Sequence, residues 1–389
     1  MYKPVDPKVS FPRMEENLVR TWQEEKTFEK SISQRDGAED FVFFDGPPFA
    51  TGLPHFGHFL PGTIKDIFPR YKTMRGYRVE RRFGWDCHGL PVENLIEKEL
   101  GLDSKTDIER YGVAEFNEAC RASVQRYVKE WRTTMTRAGR WVDFDHDYKT
   151  MDPDYMESIW WVMKSLWDKG LVYEGHYILP YCPRCSTVLS NHELAQPGVY
   201  KDVHDPAITI RFKVKAAPAS AGGSSLADGA TFLLAWTTTP WTLPSNLALC
   251  LGPEIDYVCV ADKDADGKAI RFILAESRLS AYYKDAAKVE ILWKRKGAEL
   301  SGIEYEPLFP YFASYAEKGA FRTVLGDHVT TGDGTGIVHT APGFGEDDYR
   351  VLKDSGIPTA CPVDAECKFT AEVSDYKGRF VKDCDKDIM

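Results

Sequence analysis

The sequence predicts an α/β protein in two parts: a doubly wound, parallel-sheet domain first, and a separate β-rich domain after it. Three observations predict this. A strand–loop–helix pattern occurs twice within the first hundred residues. Near Tyr173 the pattern changes to short β-like runs separated by turns. The composition, 43% hydrophobic and 28% charged over 389 residues, suits a globular chain of two or three domains.

The elements follow in order. Phe11 to Ser31 carries Met14, Leu18, Trp22 and Phe28 at near-helical spacing and predicts an amphipathic helix. Phe41 to Phe44 is wholly apolar, the pattern of a strand buried on both faces. It ends in Asp45-Gly46-Pro47-Pro48, which cannot continue a strand. A helix starts near Gly57 and uses Leu60, Ile64, Ile67, Tyr71 and Met74; Pro61 fits its first turn, whereas Pro69 predicts a kink or break. Tyr77 to Phe83 predicts a second strand, and Pro91 starts a second helix. Residues 107 to 170 read as mainly helical, with Ile159-Trp160-Trp161-Val162 as core. The β-like runs are Ile208 to Val214, Thr231 to Trp236, Tyr257 to Val260, Ile270 to Leu274, Val289 to Trp293 and Gly336 to His339. Lys215 to Gly229, rich in Ala, Gly and Ser, reads as a flexible surface loop.

The net charge of −10 excludes a chain-wide basic coat for nucleic acid, though not a local patch. Lys65 to Arg82 is such a run, with seven basic residues against Asp66 and Glu80. It suits a solvated helix face, or an RNA end or polyphosphate. Met1 to Ser10 has no apolar core and the nine cysteines are an odd number, so free thiols in a reducing cytoplasm are expected. Gly229 to Pro253 has 25 uncharged residues, but its two internal prolines and five threonines favour two buried strands over a membrane span.

Two places carry phosphate and substrate chemistry. His55-Phe56-Gly57-His58 precedes a helix and follows a strand end. A helix N-terminus offers free N–H groups and partial positive charge, and glycine lets the backbone approach a phosphate. Two imidazoles on one turn can donate to phosphate oxygens and stabilise charge as phosphate is expelled. Paired histidines at a helix start also occur as structural pairs or half of a metal site. Asp86 ends the second strand, on the rim where α/β sheets bind ligands. Its carboxylate can hold an α-ammonium, or it can cap the Pro91 helix. Gly46 and Pro47 leave a carbonyl and a wall without bulk, suited to a branched apolar substrate.

The run from Phe43 to His58, with Asp45-Gly46-Pro47-Pro48 and His55-Phe56-Gly57-His58, together with Gly84-Trp85-Asp86-Cys87-His88-Gly89-Leu90-Pro91-Val92-Glu93, resembles the class I aminoacyl-tRNA synthetases. Among them it is most similar to the isoleucyl family, and Trp141-Val142-Asp143-Phe144 and the β-rich part extend the likeness through the whole chain. The resemblance implies an incomplete Rossmann-type catalytic domain with an inserted β-rich editing domain. The implied division is 1–172 for the N-terminal helix and first part of the catalytic domain, 173–200 for a connecting zinc-knuckle-like segment, and 201–389 for the editing domain. It implies catalytic roles for His55, Gly57 and His58, and amino-acid binding by Gly46, Pro47 and Asp86. The implied substrates are isoleucine, ATP with Mg2+, and isoleucine tRNA, for a cytoplasmic, membrane-free monomer. The Lys-Met-Ser-Lys-Ser motif of most relatives is absent here, as are the anticodon-binding helices. The alternative is a truncated non-ligase that binds tRNA or hydrolyses mischarged tRNA in trans.

Cys182-Pro183-Arg184-Cys185 has the spacing of half a structural zinc site. Relatives often supply a second cysteine pair, so Zn2+ on Cys182 and Cys185 is an expectation for the complete protein. Thr237, Thr238 and Thr239, within Trp236 to Thr242, resemble the threonine-rich wall of the family's editing domain. Gly334 to Asp348, holding His339 and Asp348, resembles its other wall. The resemblance implies that Asp348 holds the aminoacyl ammonium while the threonine hydroxyls hold the ribose and position water. No Ser/His/Asp triad is visible, so hydrolysis would rest on positioning. A second site answers a matter of magnitude: one methylene is worth only about 1–3 kcal/mol in an apolar pocket, and the choice between isoleucine and valine by the family it resembles is the standard illustration.

Overall fold

The computed structural model describes residues 7–389, so the reading of Met1 to Ser10 lies partly outside the described residues. The chain forms two compact units, Met1–Glu174 and Gly175–Met389.

The first unit holds α1 (Phe11–Glu24), α2 (Thr27–Ser33), α3 (Phe56–Met74), β1 (Arg82–Trp85), α4 (Leu90–Leu100), α5 (Lys105–Tyr111), α6 (Val113–Val124), α7 (Val128–Arg137), β2 (Asp143–Lys149) and α8 (Pro153–Asp168). Strands β1 and β2 pair in parallel. Isolated parallel bridges join Asp40 to Arg78 and Phe49 to Asp86. The core packs Phe83, Trp85, Val92, Trp131 and Met135 together.

Several expectations are corrected here. The first helix is two, because Lys26 takes a left-handed conformation (φ 53°) between α1 and α2. Phe41 to Phe44 is not a buried strand: it lacks a continuous ladder, and Val42 and Phe44 are 69% and 89% exposed. The second strand is shifted to Arg82–Trp85. Helix α3 runs unbroken through Pro69, whose ring is buried, so packing outweighs the lost hydrogen bond. Trp160 and Trp161 are 72% and 70% exposed, and α8 buries no residue. Ile159, Val162 and Leu166 do share one apolar face of that helix, but nothing among the described residues packs over it enough to bury it.

The second unit holds β3 (Tyr181–Cys182), β4 (Thr187–Val188), α9 (Asn191–Leu194), β5 (Ile208–Ala216), β6 (Thr231–Thr237), β7 (Ala248–Leu251), β8 (Asp256–Lys263), β9 (Ala269–Ala275), α10 (Leu279–Tyr282), β10 (Ile291–Lys296), β11 (Glu304–Tyr305), β12 (Arg322–Leu325), β13 (Ile337–Thr340), α11 (Glu346–Asp354) and α12 (Asp385–Ile388). The sheet order is β10-β8-β9-β6-β13-β7-β12-β11-β5, and β5 also pairs with β6. That last pairing closes β6, β13, β7, β12, β11 and β5 into a barrel, with β9, β8 and β10 as an extension. Closure removes sheet edges and leaves Phe212, Leu233, Leu249, Tyr305 and Ile337 inside one core. All six predicted runs fall on strands, and β7 is the second of the two strands expected within Gly229 to Pro253, whereas β11 and β12 were not foreseen. Gly229 to Pro253 forms β6, a 3-10 turn over Pro240–Ser245, and β7. No helix among the described residues is long and apolar enough to cross a membrane. The stretch from Lys215 to Gly229 is not a free loop, because Ala221 and Leu226 are buried in the core.

Candidate functional site

The first candidate site is built where two chain segments meet beyond β1. The Asp86 amide donates to the Pro48 carbonyl at 2.9 Å, which sets the Pro47-Pro48 turn beside Asp86. Asp86 is half-buried, and its Oδ1 accepts only a long bond from the His88 amide, 3.4 Å. It does not cap α4: Gly89 occupies the N-cap at φ 96°, with no side-chain cap bond. The carboxylate therefore keeps lone pairs available for a cation.

Gly46 lies under tighter control than its sequence suggested. Its carbonyl accepts from the Lys65 ammonium at 2.6 Å. Asp45 is paired with both Lys65 and Arg140. The Tyr148 hydroxyl donates to the Asp45 carbonyl at 2.7 Å. Gly84 makes room for this, since a Cβ there would overlap the Tyr148 ring. Lys65, Arg140 and Tyr148 were missed as site residues because they come from distant parts of the chain.

The histidines open α3. His55 is its N-cap, and its Nδ1 accepts from the Gly57 amide at 3.1 Å. The His58 Nδ1 accepts from the His55 amide at 3.2 Å. Each Nδ1 is an acceptor, so each neutral ring carries its proton on Nε2. Burial, and then the charge of His55, lower the His58 pKa below its ordinary value, which keeps that ring neutral at pH 7. Gly57 is required by crowding: a Cβ there would stand 2.9 Å from the His55 ring. Trp131 backs the pair, 4.7 Å from His58 between ring centroids, with its indole donating to the Gly52 carbonyl at 2.8 Å. The arrangement presents two Nε2–H donors at a helix N-terminus.

A cavity of about 580 Å3 in the same unit takes in Arg140 but none of Gly46, Asp86, His55 and His58; Trp22, Phe28, Arg78, Arg132, Trp141 and Phe144 are among those lining it. Its lining mixes acids, bases and aromatics without converging on the histidines, so it carries no chemistry here.

The basic run of residues 65–82 is largely used within the fold. Arg70 pairs with Asp66 and stacks on Trp141 at 4.0 Å. Arg78 pairs with Asp36, Asp40 and Glu80. Arg81 is buried against Thr73, and burial lowers its pKa to about 10. Arg75 and Arg82 remain exposed.

The second candidate site lies in the barrel unit. Thr237 ends β6 and is buried, Thr238 is exposed, and Thr239 is half-buried. The Thr237 and Thr239 hydroxyls are 3.2 Å apart. His339 on β13 is enclosed between the Thr242 hydroxyl, 2.9 Å from Nε2, and the Asn246 amide, 2.8 Å from Nδ1. Burial lowers its pKa to about 4. Asp348 lies in the first turn of α11, where its Oδ2 accepts the Ala341 amide at 2.9 Å. Burial, and to a lesser extent Asp347, raise its pKa to about 6, while the Ala341 N–H opposes the rise. The N-cap of α11 is Gly345, so Asp348 ties the end of β13 to the helix rather than capping it. Thr242, Asn246 and Tyr305 join this cluster without having been singled out. Thr242 and Asn246 lie just beyond the threonine run, and that proximity was the one available signal.

Cys182 and Cys185 sit on the β3–β4 turn, and burial raises the Cys185 thiol pKa. Among the described residues no group of three or more His, Cys, Asp or Glu side chains is placed to hold a metal ion. The pair alone does not fit a closed four-ligand zinc site.

The model of the tRNA synthetases class I (I, L, M and V) matches residues 17–331. All of this chain aligns with an isoleucine–tRNA ligase of Treponema denticola at 66% identity, covering 37% of that protein. The corresponding ligase of Treponema pallidum is 57% identical over the whole chain, again covering 37% of the relative. That of Bdellovibrio bacteriovorus is 51% identical over the whole chain and covered to 35%. The chain thus spans little more than a third of these relatives' length. With Asp86 set beside Pro48, a histidine pair opening α3, and that match along most of its length, the chain belongs to the class I tRNA synthetases.

Proposed function

We propose that this chain carries the first part of the activation site and the editing site of an isoleucine–tRNA ligase. The junction of Asp86 with Pro48 carries the reading, because it places a free carboxylate against the segment that leads into the His55–His58 turn. Asp86 holds the isoleucine ammonium, beside the Gly46-Pro47 wall. The isoleucine carboxylate attacks the α-phosphorus of ATP, and the bond to the bridging oxygen breaks. Pyrophosphate leaves with the electron pair, while the Nε2–H groups of His55 and His58 donate to the phosphate oxygens. Mg2+ would travel with the nucleotide and neutralise phosphate charge. A tRNA hydroxyl then attacks the carbonyl, and AMP leaves.

In the barrel unit, Asp348 anchors the ammonium of a misplaced valine on tRNA, and the hydroxyls of Thr237, Thr238 and Thr239 hold the terminal ribose and a water. His339 lies behind them. The parallel β1–β2 pair and its two flanking bridges support reading the first unit as the start of a Rossmann-type sheet. The 1–172, 173–200 and 201–389 division is retained on that reading.

A chimera tests both sites: the Treponema denticola ligase with its matching residues replaced by this chain. Isoleucine-dependent pyrophosphate exchange, valine-dependent exchange and valyl-tRNA deacylation are measured on it. Exchange favouring isoleucine, with deacylation, supports the proposal. A folded chimera without either activity overturns it.

A further inference from the structure

The threonine cluster is backed by a chain of buried hydrogen bonds that starts on another strand. The Tyr305 hydroxyl, fully buried on β11, donates to the Asn246 Oδ1 at 2.6 Å. The Asn246 Nδ2 donates to the Ala248 carbonyl at 2.9 Å and faces the His339 Nδ1 at 2.8 Å. A carbonyl only accepts, so Ala248 fixes which end of the amide carries hydrogens. The second amide hydrogen therefore goes to the His339 Nδ1. That leaves the ring proton on Nε2, where it is donated to the Thr242 hydroxyl at 2.9 Å. Thr242 passes its own hydrogen to the Thr239 carbonyl at 2.8 Å. Each bond has one permitted direction, and the series ends in the turn that presents Thr237 and Thr239.

We propose that Tyr305 is a positioning residue for the editing site, setting the orientation of Asn246, His339 and Thr242 and through them the threonine turn. This rests on the editing reading above. His339 is consequently no general base: its Nδ1 is occupied as an acceptor and its Nε2 is a committed donor. It acts as a fixed strut. Among the described residues no other charged or titratable side chain hydrogen-bonds to the series, so the strut is neutral throughout. Such a network is worth more when every member is satisfied, and removing one partner leaves a buried acceptor without a donor.

The test uses the full 389-residue chain. Nitrogen-detected NMR of histidine-labelled protein reports the ring tautomer, with His339 assigned by comparison with His339→Gln. In the wild type, His339 is expected as the Nε2–H form, unchanged from pH 5 to 8. Tyr305→Phe keeps the ring and removes only the donor. It is expected to mix or broaden the His339 tautomer signals. It should lower kcat for valyl-tRNA deacylation by about 10- to 100-fold with KM little changed, because misplacement by about 1 Å costs that much. A well-folded Tyr305→Phe protein with unaltered His339 signals and unaltered kcat overturns the proposal. If that variant does not fold, the wild type still decides: an Nδ1–H tautomer, or titration within that range, overturns it. A wild-type chain that shows the expected tautomer but no deacylation instead counts against the editing reading alone.

Discussion

The imidazoles of His55 and His58 stack with their ring centroids 3.7 Å apart, each accepting one backbone N–H through Nδ1. A pair that looks like two catalytic groups is therefore also a reciprocal cap for α3. His58→Ala should then have two separable effects. Loss of half the cap should cost about 0.5–2 kcal/mol of stability, seen in denaturant melts of this chain. In the chimeric ligase, pyrophosphate exchange should fall by about 100- to 1,000-fold, as when one preorganised donor to developing charge is removed. A stability loss with normal exchange would make the pair purely structural.

Asp86→Ala in the chimera should weaken isoleucine binding far more than ATP binding, by about 2–5 kcal/mol, the scale for stranding a partner charge. Because Gly89 and not Asp86 caps α4, the melting temperature should scarcely change. Equal losses for both substrates would remove Asp86 from the ammonium role.

This chain alone should not form isoleucyl-adenylate at a useful rate. Its residues lack a Lys-Met-Ser-Lys-Ser segment, so the charge developing on the phosphates has only the histidine side of its clamp. Isoleucine-dependent pyrophosphate exchange by the 389-residue chain at the chimera's rate would refute this.

Asp348 and His339 should make opposite contributions to the pH dependence of stability. His339 is lowered from 6.5 to about 4, so between those values the unfolded chain binds the extra proton and acid destabilises the fold. Asp348 is raised from 3.8 to about 6, so over nearly the same window the folded chain binds the extra proton and acid stabilises it. Each slope is about 1 kcal/mol per pH unit near pH 5, and the two nearly cancel. Asp348→Asn removes one of them and leaves the Ala341 amide an acceptor. Its stability should fall on acidification from pH 6 to 4 by about 2 kcal/mol more than the wild type's, measured by urea unfolding. In the chimera, Asp348→Ala should also abolish most valyl-tRNA deacylation while leaving isoleucine activation intact. Parallel pH curves, or intact deacylation in a folded variant, would contradict these two roles respectively.

Gly84→Ala should destabilise the first unit by about 1–3 kcal/mol, since the added methyl overlaps Tyr148 and the ring cannot retreat without releasing the Asp45 carbonyl. The companion Gly84→Ala/Tyr148→Ala double variant should recover part of the loss if the overlap is the cause. Additive losses would exclude it.

What was legible in the chain was local chemistry. The histidine–glycine start of α3, Pro91 in the first turn of α4, and the runs that became β5, β6, β8, β9, β10 and β13 depend on neighbours a few residues away. Local pattern could not say which apolar runs are covered. Phe44 and Trp160 read as core yet lie exposed, because burial is settled by what packs against a segment. Strands β11 and β12 are too short to announce themselves and exist through barrel closure. The clamp of Lys65, Arg140 and Tyr148 on the Asp45–Gly46 turn is likewise a product of folding. So is the direction of the Tyr305–Asn246–His339–Thr242 series, whose members lie as far apart as 97 residues in one bond. A histidine's type is written in the sequence. Its tautomer, its charge and hence its task follow from the donors and acceptors that the tertiary fold brings to its two nitrogens.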